Sequence, residues 1–222
     1  MAKLLTNLTF EEWVRYLFDH PVTDPGWHFD IDADDAKLEP QQVVSYATRL
    51  FEGAGELLAP YTDAQVNQGL WFLISEGVSP LYTLNDPVVP LPDRVGCVRA
   101  ITEVFKQCFL PRCTPHLSAM DEPGAGALNP VCYMWWDIFP LRGEPQDESR
   151  REINAARLLV METTLELPSV ACQESALHGL AHWGIYYKEP CQNIISAFLR
   201  RHPDLRPELR EYAECAKHSH VL

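Results

Sequence analysis

The chain has 222 residues, 46% of them hydrophobic and 22% charged, with a formal net charge of -13 at pH 7. That length and apolar content suffice for one sizeable core and exclude a disordered composition. The acidic balance excludes a non-specific nucleic-acid binder and a protein drawn to an anionic membrane surface, since both need an excess of Lys and Arg. No apolar run approaches the roughly 18 residues of a membrane span. The N-terminal MAKLLTNLTFEEW lacks the apolar stretch of a signal peptide. These features predict a cytoplasmic protein whose seven cysteines are mostly buried thiols.

In chain order, Thr9 followed by Glu12 makes a capping box. Phe10, Trp13, Val14 and Leu17 then recur at helical spacing until His20-Pro21 stops the helix. Residues 21–38 form a Pro-, Gly- and Asp-rich connection. Its DIDADD stretch has the alternating acids of an EF-hand, but from Asp30 the sixth position is Asp35 and the twelfth is Gln41. The glycine and the bidentate glutamate of such a loop are both missing, so it reads as a solvated acidic loop. Pro40 opens a second helix through Val43, Val44, Ala47, Leu50 and Phe51, which Gly53 and Gly55 weaken. Thr62-Asp63 starts a third, carrying Val66, Leu70, Leu73 and Ile74 to Gly77.

Residues 78–93 are proline-rich and read as a long connection, the one stretch with room for a short strand. Val95, Val98, Ile101, Val104, Phe105, Cys108 and Phe109 mark an amphipathic helix over 94–110. After a second break over 111–128, Asn129-Pro130 opens a short helix, VCYMWWDIF. The last third is the most regular. Helices over 148–167, 169–187, 190–201 and 207–217 are joined by short connections, which make antiparallel neighbours.

The pattern predicts an all-α protein of antiparallel helix hairpins. It forms a single domain over 1–222, with the N-terminal helix and acidic loop in 1–40 and the most regular hairpins in 147–222. The stretch SALHGLAHWGIYYKEPCQNIISAFLRR resembles the second helix and following turn of HEAT-like repeats. The C-terminal region is also similar to uncharacterised bacterial helical proteins. The resemblance covers roughly a quarter of the chain and implies a HEAT-like or irregular α-solenoid with a scaffold or partner-binding role. It transfers no catalytic residue.

Two clusters invite a functional reading. In CQESALHGLAHW, Gln173, Leu177, Leu180, Ala181 and Gly184 form a core stripe, and Gly184 admits a close neighbour. Glu174, His178 and His182 follow at four-residue steps on the flank. Histidines at i and i+4 can place two nitrogens on one metal, with Glu174 as a third ligand. No glutamate follows the first histidine, so the base of the zinc proteases is absent. Ligands spread over two turns diverge, and a site needs a donor from another helix; Glu162, Glu166, Cys215, His218 and His220 are the candidates. The competing reading is a helix-pair border, with both histidines hydrogen-bonded to backbone or carboxylate. Cys172, near the helix start, reads as a buried thiol.

In YMWWDIF, adjacent tryptophans point about 100° apart, so Trp135 and Trp136 do not share one narrow stripe. One of them facing solvent would make a partner patch; both packed would make an aromatic core. No intact catalytic motif appears. The leading expectation is a non-enzymatic protein that binds another protein through a groove or concave face, with Trp135 and Trp136 as contact residues and no cofactor. Its acidic surface suits a basic partner, as in inhibitor or immunity-type proteins. The alternative is a metal-dependent enzyme holding its ion between helices with His178, His182 and Glu174.

Overall fold

The computed structural model describes residues 3–75, 77–141 and 143–220. Among these the helices are α1 (Phe10–Phe18), α2 (Pro40–Glu52), α3 (Ala54–Leu58), α4 (Asp63–Ile74), α5 (Leu91–Val104), α6 (Leu110–Arg112), α7 (Asn129–Ile138), α8 (Arg151–Leu165), α9 (Val170–Trp183), α10 (Lys188–Arg201) and α11 (Pro207–Lys217). The fold is all-α. Its one departure is a parallel pair of three-residue strands, β1 (Leu4–Thr6) against β2 (Asp35–Lys37), with Leu5 opposite Ala36. The proline-rich stretch that left room for a short strand instead holds a 3₁₀ turn over Pro80–Asn85. Three residues are too few to show alternation, so the real strands leave no trace in the pattern.

Local signals set the helix ends. The Thr9 hydroxyl accepts the Glu12 amide at 3.3 Å while the Glu12 carboxylate accepts the Thr9 amide at 2.8 Å. Thr62 and Gln65 repeat this reciprocal cap at α4. Pro40, Pro92, Pro130 and Pro207 lie in first turns, where a missing amide costs nothing. Pro111 lies deeper, and the helix adapts. The preceding turn widens into π geometry over Phe105–Phe109, closed by the Leu110 amide on the Phe105 carbonyl.

The buried apolar side chains form one connected core running from Phe10 to Ala216. Helix α9 is its shaft, packed by α7, α8, α10 and α11. It is buried on all sides: every residue from Ala171 to Ala181, and Trp183, is shut from solvent. The expected stripe-and-flank division therefore does not hold, because neighbours cover the flank as well. Polar side chains on the shaft find internal partners. The Ser175 hydroxyl donates to the Cys132 carbonyl, and Gln173 donates to the Leu167 carbonyl at 3.0 Å. At Gly179 the helix comes close to α7, since a Cβ there would lie 2.5 Å from the Trp136 Cβ. Gly184 instead faces the Ser219 hydroxyl beyond α11.

The two tryptophans correct the patch expectation. Trp135 is 0% and Trp136 1% exposed. Both angles around α7 are covered: Trp135 packs against Phe51, Phe105 and Phe109, and Trp136 lies parallel to Phe105 at 5.8 Å. Neither offers a surface to a partner. Among the described residues no helix is long and apolar enough to cross a membrane.

Candidate functional sites

Helix α9 places His178 and His182 one turn apart, with ring centroids 4.6 Å from each other. The donor from elsewhere is Asp137, near the end of α7. The packing of α7 on α9, close at Gly179, brings it to the two histidines. One ligand atom from each of Asp137, His178 and His182 lies within 4.8 Å of the others. His178 is 1% exposed. Its Nδ1 meets the Tyr212 hydroxyl at 2.8 Å, and Tyr212 in turn meets the Tyr133 hydroxyl at 3.3 Å. Burial, with a smaller push from His182, lowers the His178 pKa to about 3, so the ring is neutral. His182 Nδ1 lies 3.5 Å from an Asp137 oxygen, longer than a good hydrogen bond. The Nε2 atoms of both histidines are buried and have no hydrogen-bond partner among the described residues.

Glu174 does not join this group. Its two oxygens accept the backbone amides of Ser118 and Ala119, both at 2.9 Å. Eight residues of helix separate it from His182 by about 12 Å along the axis. Burial raises its pKa to about 7 against those two amides, with a further push from Glu122. Among the described residues, none of the other donors weighed from sequence joins the group. Glu166 pairs with Arg201 and His202, and the His218 and His220 rings pair near the C-terminus. Cys172 is fully buried beside Cys132.

A 240 Å³ cavity opens beside the cluster, lined by Asp137, His182, Arg157, Trp136, Trp183 and Tyr186 among others. Arg157 is buried, donating to the Trp136 and Leu141 carbonyls with its guanidinium 4.4 Å from the Trp183 ring centre. Burial pulls its pKa down to about 9, with Asp137 opposing, so it stays a cation.

A second region lies at the other end of the chain. Residues 19–35 contain six aspartates and no lysine or arginine, and all six aspartates are exposed. The loop is anchored by Trp27, which is buried against Tyr16 at 5.4 Å and Phe72 at 5.0 Å and stacks on His20 at 4.0 Å. Two concavities flank this anchor. One, of 460 Å³, is walled by Trp13, Tyr16, Trp27 and Phe72 and edged by Asp34 and Asp35. The other, of 610 Å³, runs past His20, Phe29, Asp30 and Asp34. Beside them Phe29 is 66% and Ile31 94% exposed.

The sequence marked this stretch as an acidic loop but did not mark Phe29 and Ile31, which stand in solvent while Trp27 is buried. Asp137 was likewise missed. It lies 41 residues before His178, and only the α7–α9 crossing unites them. Comparison of the chain with protein-family models, with curated proteins and with solved structures finds no match.

Proposed function

We propose that this chain is a non-catalytic interaction protein that docks a basic segment of another protein on its acidic, aromatic-walled N-terminal end. The observation that carries this reading is the exposure of Phe29, on the wall of the 610 Å³ concavity, and of Ile31, two residues further on, next to the rings and carboxylates that line the two concavities. A lysine or arginine side chain suits such a surface. Its aliphatic stem lies on aromatic faces while its charged head meets carboxylates. The excess of aspartates would also speed encounter with a positively charged partner. Large apolar side chains left in solvent beside a groove mark interaction sites more often than scattered exposure does.

The test uses the full chain immobilised as bait, beside two variants, Phe29→Ser/Ile31→Ser and Asp24→Asn/Asp30→Asn/Asp35→Asn. The expected result is a stoichiometrically retained basic protein whose binding weakens at least about tenfold in each variant. Its binding also falls as salt shortens the Debye length from about 10 Å at 0.1 M to about 3 Å at 1 M. An acidic partner, or retention indifferent to both variants, would remove this end of the molecule from the interface.

A further inference from the structure

We propose that Asp137, His178 and His182 form a binding site for one divalent transition-metal ion of the zinc class, with an open coordination position facing the cavity beside Arg157. Three observations converge on it. First, the donor set is two imidazoles and a carboxylate, with one atom from each already within 4.8 Å of the others. Around a tetrahedral zinc such atoms sit about 3.3 Å apart, from bond lengths of about 2.0–2.1 Å. The group therefore has to draw in by roughly 1–1.5 Å. His182 and Asp137 can make that movement, because their side chains are 35% and 31% exposed. His178 is the fixed point.

Second, His178 is oriented as a metal-ligating histidine is. One ring nitrogen, Nδ1, is engaged at 2.8 Å by Tyr212, itself held beside Tyr133. With Nδ1–H donating to the Tyr212 oxygen, Nε2 presents a bare lone pair, the arrangement in which a supporting hydrogen bond fixes tautomer and ring direction.

Third, the polar atoms are otherwise left over. His178 Nε2 and His182 Nε2 are buried without a partner among the described residues. A hydrogen-bonded helix border, the competing reading of the two histidines, would engage these nitrogens. One ion can take a nitrogen from each ring together with an Asp137 oxygen.

The count of ligands sets the type of site. Structural zinc sites are closed by four protein ligands, whereas three protein ligands leave a place for water or an exchangeable ligand. Here that place adjoins the 240 Å³ cavity, where Arg157 supplies a fixed positive charge. A small anion is the exchangeable ligand that matches.

The experiment is metal binding by the full chain purified without chelator or affinity tag. Zn²⁺ is measured by equilibrium dialysis with elemental analysis, and Co²⁺ by visible absorption. The expected result is one ion per chain, a visible d–d spectrum of a low-symmetry four- or five-coordinate cobalt, and a rise in melting temperature on loading. Asp137→Asn and His182→Gln alter partly exposed side chains, keep the fold, and weaken binding more than about tenfold each. His218→Ala/His220→Ala leaves it unchanged. Failure to bind Zn²⁺ at about 100 μM, binding that survives Asp137→Asn and His182→Gln in folded protein, or binding abolished by the C-terminal pair would each overturn the proposal. None of these variants replaces the buried His178, whose loss could unfold the chain and mimic loss of the site.

Discussion

Replacing Gly179 by alanine tests the packing that brings Asp137 to the histidines. A Cβ at that position would lie 2.5, 2.7 and 2.8 Å from Cβ, Cγ and Cδ1 of Trp136. Ordinary carbon contacts are about 3.5–4.0 Å, so the helices must separate by roughly 1 Å. Trp136 has little freedom to yield: its ring lies parallel to Phe105 at 5.8 Å and its carbonyl accepts from Arg157. Overpacking of this kind costs about 1–3 kcal/mol. The better helix propensity of alanine returns about 0.8–1.0 kcal/mol.

Because the clash involves a Cβ fixed to its backbone, the cost should fall near the top of that range, for a net loss of about 2 kcal/mol. The control is Gly96 in α5, where a Cβ meets nothing within 4 Å. There the same substitution should stabilise by up to about 1 kcal/mol. Urea unfolding reads both, with unchanged m-values certifying a comparable denatured state. Opposite signs at the two positions are expected. Gly179→Ala at or above wild-type stability would refute the close α7–α9 packing.

Three further outcomes follow from the same geometry. Arg157→Ala leaves the Trp136 and Leu141 carbonyls without their buried donor and opens a cavity against Trp183. It should cost about 3–5 kcal/mol in urea unfolding, and Arg157→Lys should recover only part, since one ammonium lacks the guanidinium fork. Glu174 carries a pKa raised to about 7 from 4.5, so between these values the folded chain holds a proton that the unfolded chain has released. Its contribution therefore weakens as pH rises from about 4.5 to 7, by at most about 3 kcal/mol. Glu174→Gln should flatten the pH dependence of unfolding free energy in that window, and an unchanged slope would exclude Glu174 as its source. Phe29→Ser/Ile31→Ser should leave the melting temperature within about 1–2 °C of wild type, because the lost side chains are already in solvent; a large drop would place them in the core.

Helix positions were legible where local chemistry decides them. The Thr9–Glu12 box, Pro40 and the Thr62 start are short-range devices, and each is found where the spacing predicts, while the softening expected at Gly53 and Gly55 is a full break at Gly53 between α2 and α3. What the sequence hid depends on packing between distant segments. Trp135 and Trp136 diverge around α7 as helix geometry requires, yet both are buried because aromatic neighbours close on two sides. Periodicity reports how many faces a helix could bury, not how many neighbours arrive. The histidine pair was visible at its four-residue spacing. Its carboxylate was not, because Glu174 on the same helix is drawn to the Ser118 and Ala119 amides, and Asp137 arrives through a contact that Gly179 permits.

The proposed function turns on which end of the molecule meets a partner. Hydrogen–deuterium exchange of the full chain, alone and with the basic protein retained by the immobilised bait, reads this directly. Slowed exchange is expected over residues 19–36 and the facing turns of α1 and α4, with α9 to α11 unchanged. Protection confined to α9–α11, with residues 19–36 exchanging as in the free chain, would place the partner at the opposite end and exclude the acidic loop from the interface.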